Sequence, residues 1–527
     1  MNSVQVVLDN SMREVGFMRH LFEKCSVLVA LILGLTLIVL PTARVLGQPS
    51  APELHVAFSV GPQTLEPRVG QGTPAQSVLR MIYEPLLSHD RNGKLLPVLA
   101  QSWQWISPTI LELKLRQNVK FTNGEPFTSE SVKYTIDSII APDSKFPVNR
   151  DRLADIVRVD TPDPYTVHLV TQHLSRPLLF ALTFWPLGMM PPKASAELGP
   201  RLAAQPIGTG PYKLVQFTPG QTVVLEANPA YWGKKPAYSR IVYNIIPEDG
   251  TRIAALESGQ VMMINNVPPD QVARLKANPQ LSVASAPAAR PMFLDFRMAK
   301  PIVKDVRFRQ AVSLAINRRA IVNDILGGMT KVAVSPLPPM VWGAVALPEP
   351  EYSPSKAKAL LKQAGYQGEP FELFATNGRF ILDKQIAEAV GGYLQAAGIN
   401  VKLHVQEPGQ IINEWFHGST WDGLLYGWGI TTFDPDELFA PMVHSAFSPG
   451  KYHNADVDAL IDAAKATTDE TKALQYYAAI QHIVWTDLPL IFLYDEPQIY
   501  AVNKRLRGYA PLPDEFMYFT KTSLQAK

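Results

Sequence analysis

The chain has 527 residues and a formal net charge of only +2, because 49 basic residues are set against 47 acidic ones. This length is too great for one ordinary core and predicts two to four structural units. The near-neutral charge argues against a nucleic-acid partner or an electrostatic membrane contact, which leaves small ligands open.

An apolar segment near the N-terminus predicts export from the cytoplasm. Residues 26–40 carry no charge, follow Arg19 and Lys24, and precede Pro41, Ala43 and Gly47. This layout is typical of a secretory signal peptide, so we predict that residues 1–47 are cleaved near Gly47; an uncleaved anchor is the second interpretation. The single cysteine, Cys25, precedes the apolar segment and forms no lipobox. We therefore expect a soluble mature protein in the periplasm.

The first part of the mature chain predicts short elements separated by turns. Residues 53–60 alternate as an opening strand, and residues 75–87 predict a short helix that runs into a loop. Thr128 is placed to cap a helix over residues 129–140. Residues 160–170 predict one further strand.

Residues 206–236 contain the most informative local pattern. Gly208 and Gly210 bracket a threonine ahead of a proline, which predicts a tight bend with positive φ angles. Residues 212–217 and 221–227 are rich in β-branched and aromatic residues, and they predict a hairpin.

The same stretch continues with Tyr231 and Trp232, whose rings are expected to anchor a loop while the indole N–H finds a partner. The string GTGPY followed by LEANPAYWGKKP closely resembles the signature region of the peptide and nickel class of substrate-binding proteins that serve ABC importers, called family 5. The earlier stretch from residue 119, VKFTNGEPFTSESVKYT, is similar to a second pattern of that family.

This resemblance implies an α/β fold of the periplasmic-binding-protein type II-like class, with two lobes joined by a hinge plus an additional domain. We assign residues 87–204 to the additional domain and residues 290–498 to lobe II. Lobe I is then built from residues 48–86, 205–289 and 499–527.

The central region predicts several capped helices. Asp249 is placed to cap one helix, Asp305 to cap a second, and Asn317 to break and recap that second helix. Four arginines follow one another here in a pattern that resembles a phosphate-binding cluster. The four arginines are Arg307, Arg309, Arg318 and Arg319. Exposure on the solvated faces of helices is the better explanation for these residues.

The last part of the chain alternates strands with helices. Residues 371–376 predict a strand, residues 381–397 a helix, and residues 399–405 a strand, an order that favours a right-handed parallel crossover. Thr467 and Glu470 predict a capping box before a long helix.

The sequence contains no nucleophile elbow, HExxH zinc motif, phosphate loop or dinucleotide fingerprint. Its histidines lack ligand spacing, so we predict no metal and no cofactor, and a nickel-binding role is a minor alternative. Members of the family bind their ligands without turning them over, which implies that the chain is not an enzyme. An extracytoplasmic hydrolase and a sensory or chaperone-like adaptor are the alternatives from other classes.

The candidate ligand-binding loop lies within residues 424–439. Several peptide-binding relatives carry an aspartate three residues beyond the tryptophan that corresponds to Trp428, and it takes the α-amino group of the ligand. Here that position is Thr431, followed by Thr432, and a neutral hydroxyl cannot offset a buried ammonium. Asp434 is a possible substitute, although its place before a proline favours a loop-forming role.

Three further residues complete the candidate site. Dipeptide-binding relatives place an arginine close to Arg379, where it can meet a ligand carboxylate with two parallel hydrogen bonds. An exposed arginine on a turn is an equally good interpretation. Tyr83 and Phe293, together with Trp428, are candidate apolar walls, and each is also compatible with a core position.

The predicted function is that of a periplasmic substrate-binding component of an ABC importer. It would capture a small solute between its lobes and, as a monomer, deliver it to permease subunits in the inner membrane that work with cytoplasmic ATPases. Because Arg379 is kept and the amine-binding aspartate is absent, we expect a ligand with an acidic or polar end that is not held through a free α-amine. Modified peptides, opine-like compounds and other small organic solutes fit this description.

Overall fold

The computed structural model describes residues 51–69, 72–90, 93–146, 150, 152–418 and 420–525. The predicted signal peptide, residues 1–47, lies outside these ranges. Within them, no helix combines the length and the apolar character needed to cross a membrane.

Strands form the frame of the described chain. In order they are β1 (Glu53–Phe58), β2 (Leu87–His89), β3 (Leu95–Pro97), β4 (Ala100–Ser107), β5 (Ile110–Leu115), β6 (Ile156–Asp163), β7 (Thr166–Thr171), β8 (Tyr212–Thr218), β9 (Thr222–Ala227), β10 (Arg240–Ile245), β11 (Met263–Ile264), β12 (Leu281–Phe296), β13 (Phe371–Thr376), β14 (Val401–Gln406), β15 (Gly423–Gly427), β16 (Leu490–Asn503), β17 (Leu506–Arg507) and β18 (Ser523–Leu524).

The α-helices lie between these strands. In order they are α1 (Thr73–Leu79), α2 (Ser129–Ile140), α3 (Leu178–Ala181), α4 (Pro192–Leu198), α5 (Asp249–Glu257), α6 (Val272–Ala277), α7 (Pro301–Lys304), α8 (Val306–Ala315), α9 (Arg318–Ala320), α10 (Pro354–Gln363), α11 (Asp383–Ala396), α12 (Pro408–His417), α13 (Asp436–Met442), α14 (Ala455–Lys465) and α15 (Glu470–Asp487).

One large sheet runs through both lobes in the strand order β14-β13-β15-β12-β16-β11-β1-β10-β9-β8. Its two long central strands, β12 and β16, pair antiparallel at both ends, Leu281 with Asn503 and Asp295 with Leu490. Between these ends the register shifts, from Pro287 to Pro291 on β12. The part of the sheet from β14 to β15 and the part from β11 to β8 are therefore joined through β12 and β16, two long strands whose pairing is interrupted once at this shift.

A second, antiparallel sheet has the order β4-β5-β7-β6 and lies within residues 87–204. It contributes to a hydrophobic cluster in which Leu113, Ile136 and Leu169 are each at most 2% exposed. This segment thus has a core of its own, as a domain requires. The segment boundaries given by the sequence stay predictions.

The hairpin predicted after Gly210 is confirmed. Strands β8 and β9 pair antiparallel from Tyr212 with Ala227 to Thr218 with Thr222. The turn contains Gly220 at φ 71°, a left-handed conformation that glycine adopts without a steric penalty.

The two glycines before this hairpin have a different role from the one predicted. Neither Gly208 nor Gly210 has positive φ. Instead, a Cβ atom would lie 2.0 Å from the carbonyl oxygen of Ile82 at position 208 and 2.6 Å from it at position 210. Glycine is needed here because the backbone of residues 208–210 lies directly against the segment after α1, and Gly210 N–H donates to that same carbonyl at 2.9 Å.

The residues between and after these glycines converge on one buried carboxylate. Glu84 is 4% exposed and accepts hydrogen bonds from Thr209 Oγ1 at 2.8 Å, Tyr231 Oη at 2.8 Å and Trp232 Nε1 at 2.7 Å. Burial raises the pKa of Glu84 to about 7, although the three donors oppose that rise. The indole N–H of Trp232 thus has the partner that the sequence required.

We expect Gly208→Ala to lower the free energy of unfolding by about 3 kcal/mol, because the new methyl group meets a backbone carbonyl that cannot move aside alone. Gly392→Ala is the control. Its Cβ meets nothing within 4 Å and its φ is not positive, so helix propensity should stabilise that variant by up to about 1 kcal/mol. Urea unfolding of both variants measures the difference, and equal midpoints would contradict the close approach.

Lobe II contains the predicted parallel crossover. Strands β13 and β14 are parallel, from Phe371 with Val401 to Thr376 with Gln406, and α11 connects them. The helix begins at Asp383, two residues later than predicted, because Leu382 adopts a left-handed φ of 54°.

Three local predictions need correction. Residues 160–170 belong to two antiparallel strands, β6 and β7, and not to one strand. The cap of α5 is Glu248, whose carboxylate accepts from the Gly250 N–H at 2.9 Å, and not Asp249. Helix α15 is capped by Asp469, one residue before its start, and not by a box of Thr467 and Glu470. In the last two cases a neighbouring carboxylate reaches the free backbone donors first.

The solvated-face prediction holds for Arg307 and Arg319, which are exposed, but it is wrong for Arg309 and Arg318, which are 5% and 4% exposed. The two buried guanidinium groups donate to backbone carbonyls at 2.7 to 2.9 Å. These acceptors replace the lost water and make burial tolerable. The capping roles of Asp305 and Asn317 are confirmed, with acceptor distances of 2.8 and 3.0 Å.

Candidate functional site

A small polar cavity lies where β12 and β16 pass from one lobe to the other. Its volume is about 30 Å³, and we call it the hinge cavity. It is lined by Thr73, Asn265, Asn266, Arg290, Arg379, Phe380, Glu496, Pro497, Gln498, Tyr500, Glu515 and Met517. These residues come from the central strands β12 and β16, from the segment after β11, from the start of α1, from the loop before α11 and from the C-terminal segment.

An ion pair closes one side of the hinge cavity. Arg290 on β12 donates to Glu515 in the C-terminal segment through Nε and Nη2, at 2.6 and 2.9 Å. Its remaining donors reach Gly427 O and Thr73 Oγ1, both at 3.0 Å. Burial alone would raise the pKa of Glu515, but the paired Arg290 outweighs it and holds that pKa below the usual value. Glu515 has a φ of 64°, a strained angle that this pair holds in place.

Arg379 reaches the cavity from lobe II. The loop that carries it is fixed by Asp383, whose carboxylate accepts from the N–H groups of Gly378, Arg379 and Phe380 at 2.9, 2.9 and 3.2 Å. The guanidinium lies 4.7 Å from the Phe380 ring centroid and close to Gly72 at the start of α1. It donates no hydrogen bond to the described residues, so its donors are available to a ligand.

Glu496 is the second group of the cavity without a full set of partners. It is 6% exposed, and its Oε1 accepts from the Ile381 N–H at 3.1 Å. Its Oε2 is buried and has no hydrogen-bond partner among the described residues. Burial raises the pKa of Glu496 to about 8, and the negative charge of Glu515 contributes to that rise.

The two threonines predicted to contact ligand donate hydrogen bonds within their own loop. Thr431 Oγ1 donates to Glu437 Oε1 at 3.1 Å, and Thr432 donates to Oε2 from both its N–H and its Oγ1, at 2.8 and 2.7 Å. Arg152, from the additional domain, also donates to Glu437 Oε1, at 2.8 Å. The Glu437 carboxylate is therefore fully engaged.

Asp434 is likewise engaged, as the loop-forming interpretation requires. Arg176 of the additional domain binds it with two parallel hydrogen bonds of 2.7 and 3.0 Å, and the Asp436 N–H donates to it at 2.9 Å. Arg176 also donates to Tyr477 Oη at 2.8 Å. With 2% of its surface exposed, Asp434 is buried against these partners.

Two of the three aromatic candidates are buried in the core, and the third is partly exposed. Tyr83 and Phe293 are 1% and 0% exposed and belong to hydrophobic core clusters, which is the core position that the sequence left open. Trp428 is half-buried, donates from Nε1 to Glu437 O at 2.7 Å, and packs on Trp415. Of these three aromatic residues, Trp428 is the one with appreciable exposed surface.

The sequence missed Arg290, Glu496 and Glu515. For Glu496 the usable signal was the acidic pair at residues 495–496, which follows five apolar and aromatic residues of a long strand. Acidic side chains are rarely buried in a central strand unless they have a partner or a function. No group of three or more His, Cys, Asp or Glu residues in the described ranges is arranged to hold a metal ion. A larger depression of about 650 Å³, between residues 317 and 352, shares no lining residue with the hinge cavity.

Comparison with known proteins gives consistent results. The model of bacterial extracellular solute-binding proteins, family 5, middle region, matches residues 94–450. The chain is 27% identical over 500 residues to the glutathione-binding protein GsiB of Pectobacterium atrosepticum, covering 92% of this chain and 96% of that protein.

Solved structures agree with this match. The binding protein AgaA from A. tumefacien R10, in complex with agropinic acid, is 26% identical, with a TM-score of 0.81 over 90% of this chain and 99% of that one. DppA from Helicobacter pylori, in complex with the peptide STSA, has the same fold, with 23% identity and a TM-score of 0.83 over 90% of this chain and 98% of that one.

Proposed function

Since this chain belongs to the bacterial extracellular solute-binding proteins of family 5, the substrate-binding components of ABC importers, we propose that it captures a carboxylate-bearing small solute in the hinge cavity and the cleft around it. The α/β, type II-like periplasmic-binding-protein fold predicted from the sequence is confirmed. Proteins of this family bind for transport and are not enzymes.

The observation that carries the ligand proposal is the guanidinium of Arg379. It faces a buried polar cavity between the lobes without a hydrogen bond to the described residues, and its planar fork matches a carboxylate bidentately. The nearby Arg290 is already neutralised by Glu515, so Arg379 supplies the positive charge that a ligand anion can use.

The lobe II loop favours a ligand that is not held there through a free α-amine. Thr431 occupies the position of the aspartate found in several relatives, and the two carboxylates that follow it, Asp434 and Glu437, are bound by Arg176 and Arg152. An ammonium group placed here would be buried without a free counter-charge, which costs several kcal/mol.

Relatives support solutes of this kind. Glutathione and agropinic acid, the ligands in the names of two similar proteins, both carry carboxylates. We infer modified peptides or opine-like amino-acid derivatives as the ligand class. The cavity of about 30 Å³ accommodates only the end of such a molecule, so its remainder would occupy the cleft when the lobes move apart.

We further propose the setting in which this binding occurs. The related binding proteins are periplasmic, and family members deliver ligands to ABC importer permeases. In this proposal the protein is exported through cleavage of residues 1–47 and acts as a monomer on permease subunits in the inner membrane. N-terminal sequencing of the protein recovered from periplasmic extracts tests the cleavage near Gly47.

The ligand can be identified directly. Mass spectrometry of the compounds that copurify with the protein, followed by thermal shifts with a library of small carboxylates, reports any solute that stabilises the folded state. An extracytoplasmic hydrolase would return a changed product, whereas a transport protein returns the ligand intact.

We expect Arg379→Ala to weaken the affinity for that ligand by about thirtyfold or more, because a desolvated anion loses its bidentate partner. Arg379→Lys should recover part of the loss, since it keeps the charge but not the fork. Arg201→Ala is the control, because Arg201 is exposed and bonds only to nearby carbonyls. Calorimetric titration measures all three variants, and an unchanged affinity in Arg379→Ala would refute the carboxylate contact.

A further inference from the structure

Glu496 lies at the point where the pairing of β12 with β16 is interrupted. Its neighbours Asp495 and Pro497 pair with Pro291 and Pro287, whereas Glu496 itself has no partner residue on β12. The side chain points into the hinge cavity, and the Ile381 N–H holds only its Oε1. Its other carboxyl oxygen, Oε2, is buried without a hydrogen-bond partner among the described residues, and Arg379 lines the same cavity.

The surroundings of Glu496 favour its neutral form. Glu496 forms no ion pair among the described residues, since Arg290 is bound to Glu515 instead, and the charges of Arg290 and Arg379 offset only part of the effect of burial on its pKa. An isolated buried carboxylate is far more costly than a buried carboxylic acid. Burial accordingly raises the pKa of Glu496 to about 8. With Oε1 accepting from Ile381, the proton belongs on Oε2, which then becomes a donor into the cavity.

This donor lies in the same small cavity as the guanidinium of Arg379, which donates no hydrogen bond to the described residues. Two neighbouring donors and one net positive charge match a single anionic acceptor group. We propose that neutral Glu496 donates a hydrogen bond from Oε2 to the same ligand carboxylate that Arg379 binds, and thereby makes this binding protein selective for an anionic end group. The inference rests on the proposed function and adds a second recognition residue to it.

The proposal implies a pH dependence opposite to that of an ordinary carboxylate site. The charged or titratable groups facing Glu496 are Arg290, Arg379, Glu515 and, on the same strand, Tyr494. The arginines stay charged and Tyr494 stays neutral, since burial raises the pKa of Tyr494. Glu515 stays ionised because its pKa lies below the usual value. Tyr500, which also lines the cavity, stays neutral because burial raises its pKa. Among the residues that line the hinge cavity, Glu496 is therefore the one that changes charge between pH 6.5 and 9; the adjacent Asp495, whose pKa burial raises to about 7, is not among them.

The test uses the full mature chain with glutathione, agropinic acid and the dipeptide Met-Leu as probes, titrated by calorimetry at pH 6.5 and 9. For the wild-type protein we expect the affinity for the best of these probes to fall about tenfold at pH 9, because only about a tenth of the protein then carries the proton. Glu496→Gln should keep the affinity within about twofold and lose the pH dependence, since its amide accepts from Ile381 and donates to the ligand. Glu496→Ala should bind weakly at both pH values.

Stability provides a second measurement that needs no ligand. The folded-state pKa of Glu496 is raised above its unfolded value, so its contribution is present below the unfolded pKa and is lost as the pH rises through about 8. The wild-type melting temperature should therefore fall more between pH 6.5 and 9 than that of Glu496→Gln.

Several outcomes would overturn the inference. A large loss of affinity in Glu496→Gln at pH 6.5 would mean that a charged carboxylate holds a ligand cation, and wild-type binding in Glu496→Ala would mean that Glu496 does not contact the ligand. Failure of the wild type to bind any of the three carboxylates would also overturn it. If Arg379→Ala alone weakens binding, this inference fails while the proposed function stands; if Arg379→Ala has no effect either, the proposed carboxylate contact fails with it.

Discussion

Replacing Arg290 with alanine should lower the free energy of unfolding by about 4 kcal/mol, the largest single effect that we expect in lobe II. The side chain of Arg290 is 7% exposed and that of its partner Glu515 is 12% exposed, so the variant leaves a carboxylate buried without its counter-charge. It also removes donors from Gly427 and Thr73. Urea unfolding followed by circular dichroism measures the loss.

A matched control distinguishes the effect of burying an ion pair from the effect of forming one. Arg274 and Glu257 form an ion pair of equal length, 2.6 Å, but their side chains are 51% and 34% exposed, so Arg274→Ala should cost less than about 1 kcal/mol. The double variant Arg290→Met with Glu515→Leu should recover much of the loss, because no unpaired charge remains. If Arg290→Ala is as mild as Arg274→Ala, the buried pair does not stabilise this region.

Arg176→Ala should lower the free energy of unfolding by about 3 kcal/mol. Arg176 and Arg152 bind Asp434 and Glu437, and we call these two pairs the inter-domain clamp because they connect residues 87–204 with lobe II. The side chain of Asp434 is 2% exposed, so loss of its partner leaves a buried charge. Burial opposes the charge of Arg176, yet the paired Asp434 outweighs it and raises the pKa of Arg176.

Two measurements test whether the inter-domain clamp stabilises the protein. Urea unfolding gives the stability, and small-angle scattering gives the radius of gyration, which should increase if the clamp holds the additional domain against lobe II. Lys213→Ala is the control, since Lys213 and Glu226 form an exposed pair of 2.9 Å. An Arg176→Ala protein with wild-type stability and dimensions would show that the clamp does not fasten these segments.

The elements that the sequence predicted well are those fixed by neighbouring residues. The β8–β9 hairpin depends on a short turn, and the β13–α11–β14 crossover depends on periodicity within about 35 residues. Glu84 shows the limit: its three donors lie 125, 147 and 148 residues away, and no pattern in one sequence connects them. The family resemblance pointed to this stretch, but only the structure shows that its polar residues serve one carboxylate.

The candidate site was predictable in part. Arg379 was found through the resemblance, and the structure places it at the hinge cavity. The ligand-contact role of Thr431 and Thr432 stays a prediction, while their hydrogen bonds to Glu437, six and five residues further on, are a local contact that the sequence analysis did not predict. The ion pairs of Arg152 and Arg176 could not be predicted from the sequence, since each arginine is more than 250 residues away from the carboxylate that it binds. Long-range ion pairs of this kind leave no local pattern.

The register shift between β12 and β16 has a mechanical meaning. Pro287 and Pro291 on one strand face Pro497 and Asp495 on the other, and proline carries no N–H with which to bridge the strands. The ladder is thus already open at the place where the lobes must bend. Bending the two strands at this point therefore breaks few backbone hydrogen bonds between them, and the pairing on either side of the shift can stay intact.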